Sequence, residues 1–147
     1  IFLMDNYLIT TFEAKHANYI LSHGEIENYS KWFDVTTLEH QDSWTGHYRG
    51  EPIVSGGIYQ MWEGVAEVWI IMRQGSNAKH KFFMLRNIKK YLDETIKRKN
   101  YKRIQSTVRA DFAEGIRFAE WYGMHSEGLM KQYGPDGKDY LRLARII

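Results

Sequence analysis

The chain of 147 residues contains no cysteine, and this absence removes several kinds of chemistry at once. Without a thiol, the protein forms no disulfide, no thiolate metal site and no cysteine nucleophile, and it fits a reducing compartment. No apolar run approaches the length of a membrane span either, so no membrane partner is predicted.

Several catalytic motifs are missing as well. The six histidines show no His-x-x-x-His spacing, so no metal site is predicted. The sequence contains no Gly-x-Ser-x-Gly elbow and no Walker phosphate loop. The absence of these motifs argues against the hydrolases and nucleotidases that depend on them.

The composition is that of an ordinary globular domain that is rich in aromatic residues. Hydrophobic residues make up 44% of the chain and charged residues 26%, so disorder is not expected. The 5 Trp, 10 Tyr and 7 Phe supply large side chains for a core that contains a sheet. We expect a single domain over residues 1–147.

The spacing of apolar residues predicts an α/β fold in the order β-αα-βββ-α-β-α-ββ. The predicted strands are Tyr7–Thr11, Ser43–Tyr48, Ile53–Met61, Ala66–Met72, Arg103–Val108, Met124–Gln132 and Asp139–Ile146. The predicted helices are two segments between Glu13 and Phe33 with a break near Gly24, a long helix with an apolar stripe from Met84 to Ile96, and Phe112–Tyr122. Short turns predict an antiparallel meander for the second to fourth strands, and the strand–helix–strand unit after it predicts a parallel crossover.

That order, and two segments within it, resemble the GNAT N-acetyltransferases. Ala66–Met72 with the long helix after it is similar to the family's fourth strand and cofactor-binding helix, and Val108–Met124 to its fifth strand and next helix. More narrowly, Thr10–Ala17, Lys79–Phe83 and the final Gly-Lys-Asp-Tyr strand resemble the GNAT-like internal virion proteins of podovirus-type phages. The resemblance implies a mixed sheet with flanking helices, as in acyl-CoA N-acyltransferases, and a location in the host cytoplasm or the virion.

The resemblance also implies acetyl-CoA as co-substrate. In the family, the fourth and fifth strands splay around the pantetheine arm, which predicts a groove between Trp69–Met72 and Ser106–Arg109. The pyrophosphate lies at the start of the next helix, on backbone N–H groups. The positions that match these contacts are Ile71, Met72, Asn77, Ala78, Lys79, His80 and Lys81.

The phosphate loop departs from the family's Arg/Gln-x-x-Gly-x-Gly/Ala pattern. Arg73-Gln74-Gly75 comes early, and the glycine positions are expected near His80 and Phe82. Bulky residues there predict that side-chain charge on Lys79, His80 and Lys81 replaces the glycine cradle.

Catalysis needs a base, because acetyl transfer requires a neutral amine. Glu67 matches the part of the fourth strand where some GNAT enzymes place that base, and Glu63 is the next candidate. The family's tyrosine, which protonates the departing thiolate, corresponds to Ala119 here. Tyr122 lies close by in the sequence, but we expect it to pack in the core.

Ten of the twenty basic residues lie between Lys79 and Arg103, opposed there only by Asp93 and Glu94. This run indicates either an anion site or a solvated helix face. Three functions stay open: a phage-encoded acetyltransferase acting on an amine of a protein, a degenerate GNAT fold that serves as a virion or assembly component or inhibits a host factor, and, third, a nucleic-acid binder. The partner is thus a host or phage protein under the first two hypotheses, and the sequence leaves the acceptor and the oligomeric state open.

Overall fold

The computed structural model describes residues 2–22 and 34–147. The strands are β1 (Phe2–Met4), β2 (Tyr7–Thr11), β3 (Asp42–Tyr48), β4 (Glu51–Trp62), β5 (Val65–Met72), β6 (Arg103–Arg109), β7 (His125–Met130) and β8 (Tyr140–Ile146). The helices are α1 (Ala14–Ser22), α2 (Ala78–Lys99) and α3 (Ala113–Trp121), with a 3₁₀ helix at Val35–His40. Within the described residues, no helix has the length and apolar character to cross a membrane.

All seven predicted strands, the start of the first helical region and both later helices are confirmed, with small shifts at their ends. The sequence did not predict β1 or the 3₁₀ helix, because three to six residues are too few to show a period. The second predicted helical segment and the break near Gly24 lie outside the described residues.

The strands form a mixed sheet in the order β1-β2-β3-β4-β5-β6-β8-β7. Antiparallel pairs join β1 to β2, β2 to β3, β3 to β4, β6 to β8 and β7 to β8. β5 and β6 are parallel, as expected for strands that a helix connects. The residues form two compact units, Ile1–Ile58 with Ile70–Arg98 and Tyr59–Trp69 with Lys99–Ile147, so β4 and β5 contribute to both.

In the first unit, alternate residues of β3 face different helices. Trp44 stacks on Tyr91 of α2 with ring centroids 5.3 Å apart. Gly46 points to the same helix, and any Cβ there would lie 2.6 Å from the sulfur of Met84, so only glycine fits. Thr45, between them, points to α1 and is fully buried.

In the second unit, α3 packs on one face of β6. A Cβ on Gly115 of α3 would lie 3.0 Å from Val108, so the helix approaches the strand closely. The other face of β6 carries Gln105 and Thr107. In the register of the sheet, Glu67 is the partner of Gln105, and Arg142 is the partner of Thr107. This second face therefore gathers the polar groups around Glu67.

Candidate active site

Glu67 lies on β5 and accepts hydrogen bonds from side chains of β6 and β8. Gln105 Nε2 donates to Glu67 Oε2 over 3.0 Å, and Arg142 Nη1 donates to the same oxygen over 3.2 Å. Thr107 Oγ1 donates to Oε1 over 3.3 Å, the only donor to that oxygen among the described residues. The side chain is 13% exposed. The carboxylate is therefore fixed through Oε2, while Oε1 keeps the greater capacity to accept a further proton donor.

Tyr59 on β4 belongs to the same surroundings. Burial, and next the negative charge of Glu67, raise the pKa of the Tyr59 phenol, although the charge of Arg142 opposes this. Tyr59 is thus a neutral hydroxyl at physiological pH. Sequence reasoning did not assign Tyr59 a role, although the predicted meander already placed it on the strand next to that of Glu67.

The parallel pairing of β5 with β6 is short. The partners are Val65–Glu67 with Arg103–Gln105. β5 nevertheless continues to Met72 and β6 to Arg109, where β6 remains paired with β8. The pairing thus ends at Glu67, in agreement with the expectation that the two strands are not continuously paired.

The loop after β5 begins at Arg73, and α2 begins at Ala78. Asn77 caps the helix: its Oδ1 accepts from the Lys79 backbone N–H over 2.8 Å, and its carbonyl accepts from those of His80 and Lys81. Gly75 adopts φ +75°, a left-handed conformation that favours glycine.

The start of α2 places His80 and Phe82, where the glycine positions were expected, inside the first turns of the helix. Counted instead from Arg73, the family pattern would place its two glycine positions at Ser76 and Ala78, in the loop and at the first residue of the helix. Both positions hold small side chains, so the backbone there leaves room for an anion.

The predicted cofactor-binding residues differ in how far their side chains are exposed to solvent. Ile71 is half-buried, Met72 is buried, and Asn77, Ala78 and Lys79 are exposed. His80 turns inward, where its ring lies 3.8 Å from that of Tyr48 and its Nδ1 is hydrogen-bonded to Tyr7 Oη. Lys81 is only 4% exposed.

The burial of Lys81 has a simple cause. It continues the apolar stripe of α2 through Met84, Leu85 and Ile88, which lie on one helix face. Of the three side chains expected to supply charge to the phosphate loop, only Lys79 is exposed to solvent. His80 and Lys81 pack against the rest of the unit in the first turn of α2.

The end of α3 supplies no exposed phenol. Ala119 is buried, and Tyr122 is 2% exposed. The ring of Tyr122 packs against Phe118 with centroids 5.9 Å apart, and the guanidinium of Arg145 lies 5.0 Å from its centre. The prediction that Tyr122 packs in the core is confirmed.

Solved structures resemble this chain over nearly its whole length. A GNAT-family acetyltransferase from Bacillus anthracis has 16% identity and a TM-score of 0.69, covering 97% of this chain and 95% of its own. The ribosomal-protein-S18-alanine N-acetyltransferase of Escherichia coli has 16% identity and a TM-score of 0.68, covering 96% and 94%. The yncA protein of Salmonella typhimurium, solved with its cofactor acetyl-CoA, has 11% identity and a TM-score of 0.67, covering 97% and 94%. The chain has the GNAT fold.

No family model and no curated protein matches the sequence. The structural likeness confirms the predicted fold class, a GNAT-like mixed sheet with flanking helices. At these identities a shared fold does not carry an activity, which has to be argued from the residues.

Proposed function

We propose that this protein is an N-acetyltransferase that transfers the acetyl group of acetyl-CoA to an amine. The observation that carries the proposal is the carboxylate of Glu67, oriented by Gln105 and Arg142 at the point of a GNAT fold where the β5–β6 pairing ends. Acetyl-CoA is also the cofactor named for the structural neighbour from Salmonella typhimurium.

The start of α2 suits the pyrophosphate of the cofactor. Ser76 and Ala78 leave the backbone accessible, and the helix supplies no partner for the Ala78 N–H. The aligned peptide dipoles of this 22-residue helix favour an anion there, and the exposed Lys79 adds charge. Asn77 keeps the first turn in place. Along β5, the backbone of Ile71 and Met72 is the segment that the GNAT pattern assigns to the pantetheine arm.

The bound cofactor would supply an acetyl group activated as a thioester. Glu67 Oε1 accepts the proton of the acceptor ammonium, directly or through one water, so that the nitrogen lone pair is free to attack. Gln105 and Arg142 hold Oε2 and so keep Oε1 in place. The nitrogen would then form a bond to the thioester carbonyl carbon and the carbon–sulfur bond would break. The thiolate would take up, through solvent, the second proton that the nitrogen releases, because α3 offers no exposed tyrosine for this step.

Calorimetric titration with acetyl-CoA, followed by a transfer assay with peptides that carry a free N-terminus or a lysine, tests the proposal. We expect micromolar binding and acetylated peptide identified by mass. Lys79→Glu should weaken binding several-fold at low salt, whereas Lys90→Glu, an exposed lysine further along the same helix, should not. Absence of binding up to millimolar acetyl-CoA would overturn the proposal.

A degenerate GNAT fold that only binds a partner is the second candidate. Two observations favour it: Glu67 is already ion-paired with Arg142, and Ala119 stands where the family has its tyrosine. Such a protein would act as a virion or assembly component or inhibit a host factor, with a host or phage protein as partner in the host cytoplasm or virion. Acetyl-CoA binding without transfer to any tested amine would favour this candidate.

The basic run gives little support to nucleic-acid binding. Lys89 pairs with Asp93 over 2.7 Å, and Arg98 pairs with Asp42 over 3.1 Å. Lys81 is buried in the same helix. These three of the ten cations are thus buried or paired with a carboxylate, which reduces the positive charge that the run can offer to a phosphate backbone.

A further inference from the structure

A row of side chains leads from the edge strand β7 to Glu67. Arg103 Nη1 and Nη2 donate to the two carboxylate oxygens of Glu127, over 3.0 and 2.6 Å. The third guanidinium nitrogen, Nε, donates to Gln105 Oε1 over 3.0 Å. Gln105 Nε2 donates in turn to Glu67 Oε2. Each polar group in this row thus orients the next one.

We propose that Gln105 and Arg103 are positioning residues for Glu67, with Glu127 as their anchor. This inference rests on the proposed function, because it assigns Glu67 the role of base. None of the three residues needs to touch the substrate. Their contribution is to hold the carboxylate in one orientation.

The bonding capacity of the amide explains how the row acts. A glutamine amide can rotate by half a turn and exchange its oxygen with its nitrogen. In the rotated state, Gln105 Oε1 would face the carboxylate of Glu67 and repel it. Arg103 Nε prevents this rotation, because it requires an acceptor at the position of Oε1. Arg103 thereby selects the orientation that donates to Glu67.

The local backbone of β7 brings Glu127 to this place. The register between β7 and β8 shifts between Ser126 and Gly128, a β-bulge that includes Glu127. Gly128 adopts φ +148°, which side chains rarely allow. A bulge changes the direction of the residue within it, so Glu127 reaches the guanidinium of Arg103 with both oxygens. The bond to Arg103 lowers the pKa of Glu127, which therefore remains charged.

The ion pair itself is a weak source of stability. The Glu127 side chain is 44% exposed and that of Arg103 27% exposed, and exposed ion pairs contribute little. A positioning role and a structural role therefore predict different results. A structural role lowers stability regardless of Glu67, whereas a positioning role acts on turnover only through Glu67.

The kinetic test uses Gln105→Met and Arg103→Lys in the full chain. Lysine keeps a charge for Glu127 but has no second donor in the fixed geometry of a guanidinium. We expect each variant to lower kcat on the order of 10-fold, with the KM for acetyl-CoA within about twofold of wild type. In a Glu67→Gln background, the same substitutions should cause no further loss. An equal loss in that background would overturn the inference.

Arg98→Lys is the matched control, because Arg98 also pairs with one carboxylate, that of Asp42. It should leave kcat unchanged. Nuclear magnetic resonance provides a second readout that does not depend on turnover. The side-chain amide signals of Gln105, identified by their loss in Gln105→Met, should shift in Arg103→Lys and in Glu67→Gln but not in Arg98→Lys.

The two readouts separate the inference from the proposed function. A wild-type protein that transfers no acetyl group removes the function, while the amide signals still show whether Arg103 orients Gln105 toward Glu67. Amide signals that stay unchanged in Arg103→Lys would overturn the positioning role even in an active enzyme.

Discussion

Two polar networks in this molecule differ both in their side chains and in their surroundings. The first joins α1 to β3 and β4 and is closed to solvent. Ser55 Oγ lies 2.8 Å from Thr45 Oγ1, which lies 2.9 Å from His16 Nδ1. The Glu13 backbone N–H donates to the same nitrogen, so Nδ1 is an acceptor and the proton of a neutral His16 is on Nε2. His47 is buried beside His16 and bonded to Thr10.

The second network, around Glu67, consists of charged groups that water can reach. It contains the ion pairs Glu67–Arg142 and Arg103–Glu127, and every one of these four side chains keeps some exposure. The closed network satisfies its hydrogen bonds with neutral groups, which stabilises one packing arrangement. The open network holds a charge next to solvent, and a proton acceptor needs that access. Access to water, together with the charge of the side chains, separates the structural network from the chemical one.

The largest effect should come from Glu67→Gln, which keeps the shape of the side chain and removes the proton acceptor. We expect turnover to fall by roughly 10²-fold or more, about 2.7 kcal/mol, while acetyl-CoA affinity stays close to wild type. Initial rates with an acceptor peptide and calorimetry measure the two quantities. Glu63→Gln is the control, since Glu63 is exposed in the turn before β5. If the control loses more activity than Glu67→Gln, the base is Glu63.

Thr→Val substitutions in both networks compare their structural importance directly. Thr45→Val leaves the fully buried Ser55 hydroxyl without its partner, which should cost about 1–3 kcal/mol of unfolding free energy. Thr107→Val removes one long bond to a half-buried carboxylate, and we expect a cost within about 0.5 kcal/mol. Urea unfolding measures both. Equal costs would contradict the distinction between a closed and an open network.

The closed network should also make stability depend on pH. Burial, reinforced by the neighbouring His16, lowers the pKa of His47 to about 4, and burial lowers that of His16 as well, against the charge of Glu13. An unfolded histidine titrates near pH 6.5. As the pH falls from about 6.5 to 4, the unfolded state therefore binds protons that the folded state does not, and stability declines.

Urea unfolding at several pH values in that window, for wild type and His47→Gln, checks this expectation. The variant should show a flatter decline. Lys15 and Glu39 also act on His16, so they are left unchanged in both proteins. His125→Gln, at an exposed position, should follow the wild-type curve. A decline that is identical in wild type and His47→Gln would assign the pH dependence to other groups.

The smallest effect should be on the stability of the open network. Glu127→Gln removes one charge of an exposed pair, and we expect a small loss of stability that decreases at high salt. Asp42→Asn, in the exposed pair with Arg98, should behave in the same way. A loss of stability that is large and independent of salt would show that the Arg103–Glu127 pair is structural, contrary to the distinction between the closed and the open network.

The sequence by itself determined the order of the elements. Apolar periodicity located β5, α2 and β6 because their patterns are long and regular. The position of the aromatic Tyr122 in the last turn of a helix predicted that it packs in the core. The resemblance to the GNAT enzymes, and not the periodicity, implied Glu67 as the candidate base on the predicted fourth strand. These are local properties that a pattern along the chain records.

Only the tertiary structure decided which residues surround Glu67 and which lysine near the phosphate loop is exposed. Gln105, Arg142 and Glu127 are all far from Glu67 in the chain, and strand pairing together with a bulge brings them into one network with it. The capping bond of Asn77 marks where α2 begins, and Lys81 is buried because it continues the apolar stripe of that helix. Hydrogen bonds between distant residues leave no period in a sequence, so the fold was predictable and the environment of its charges was not.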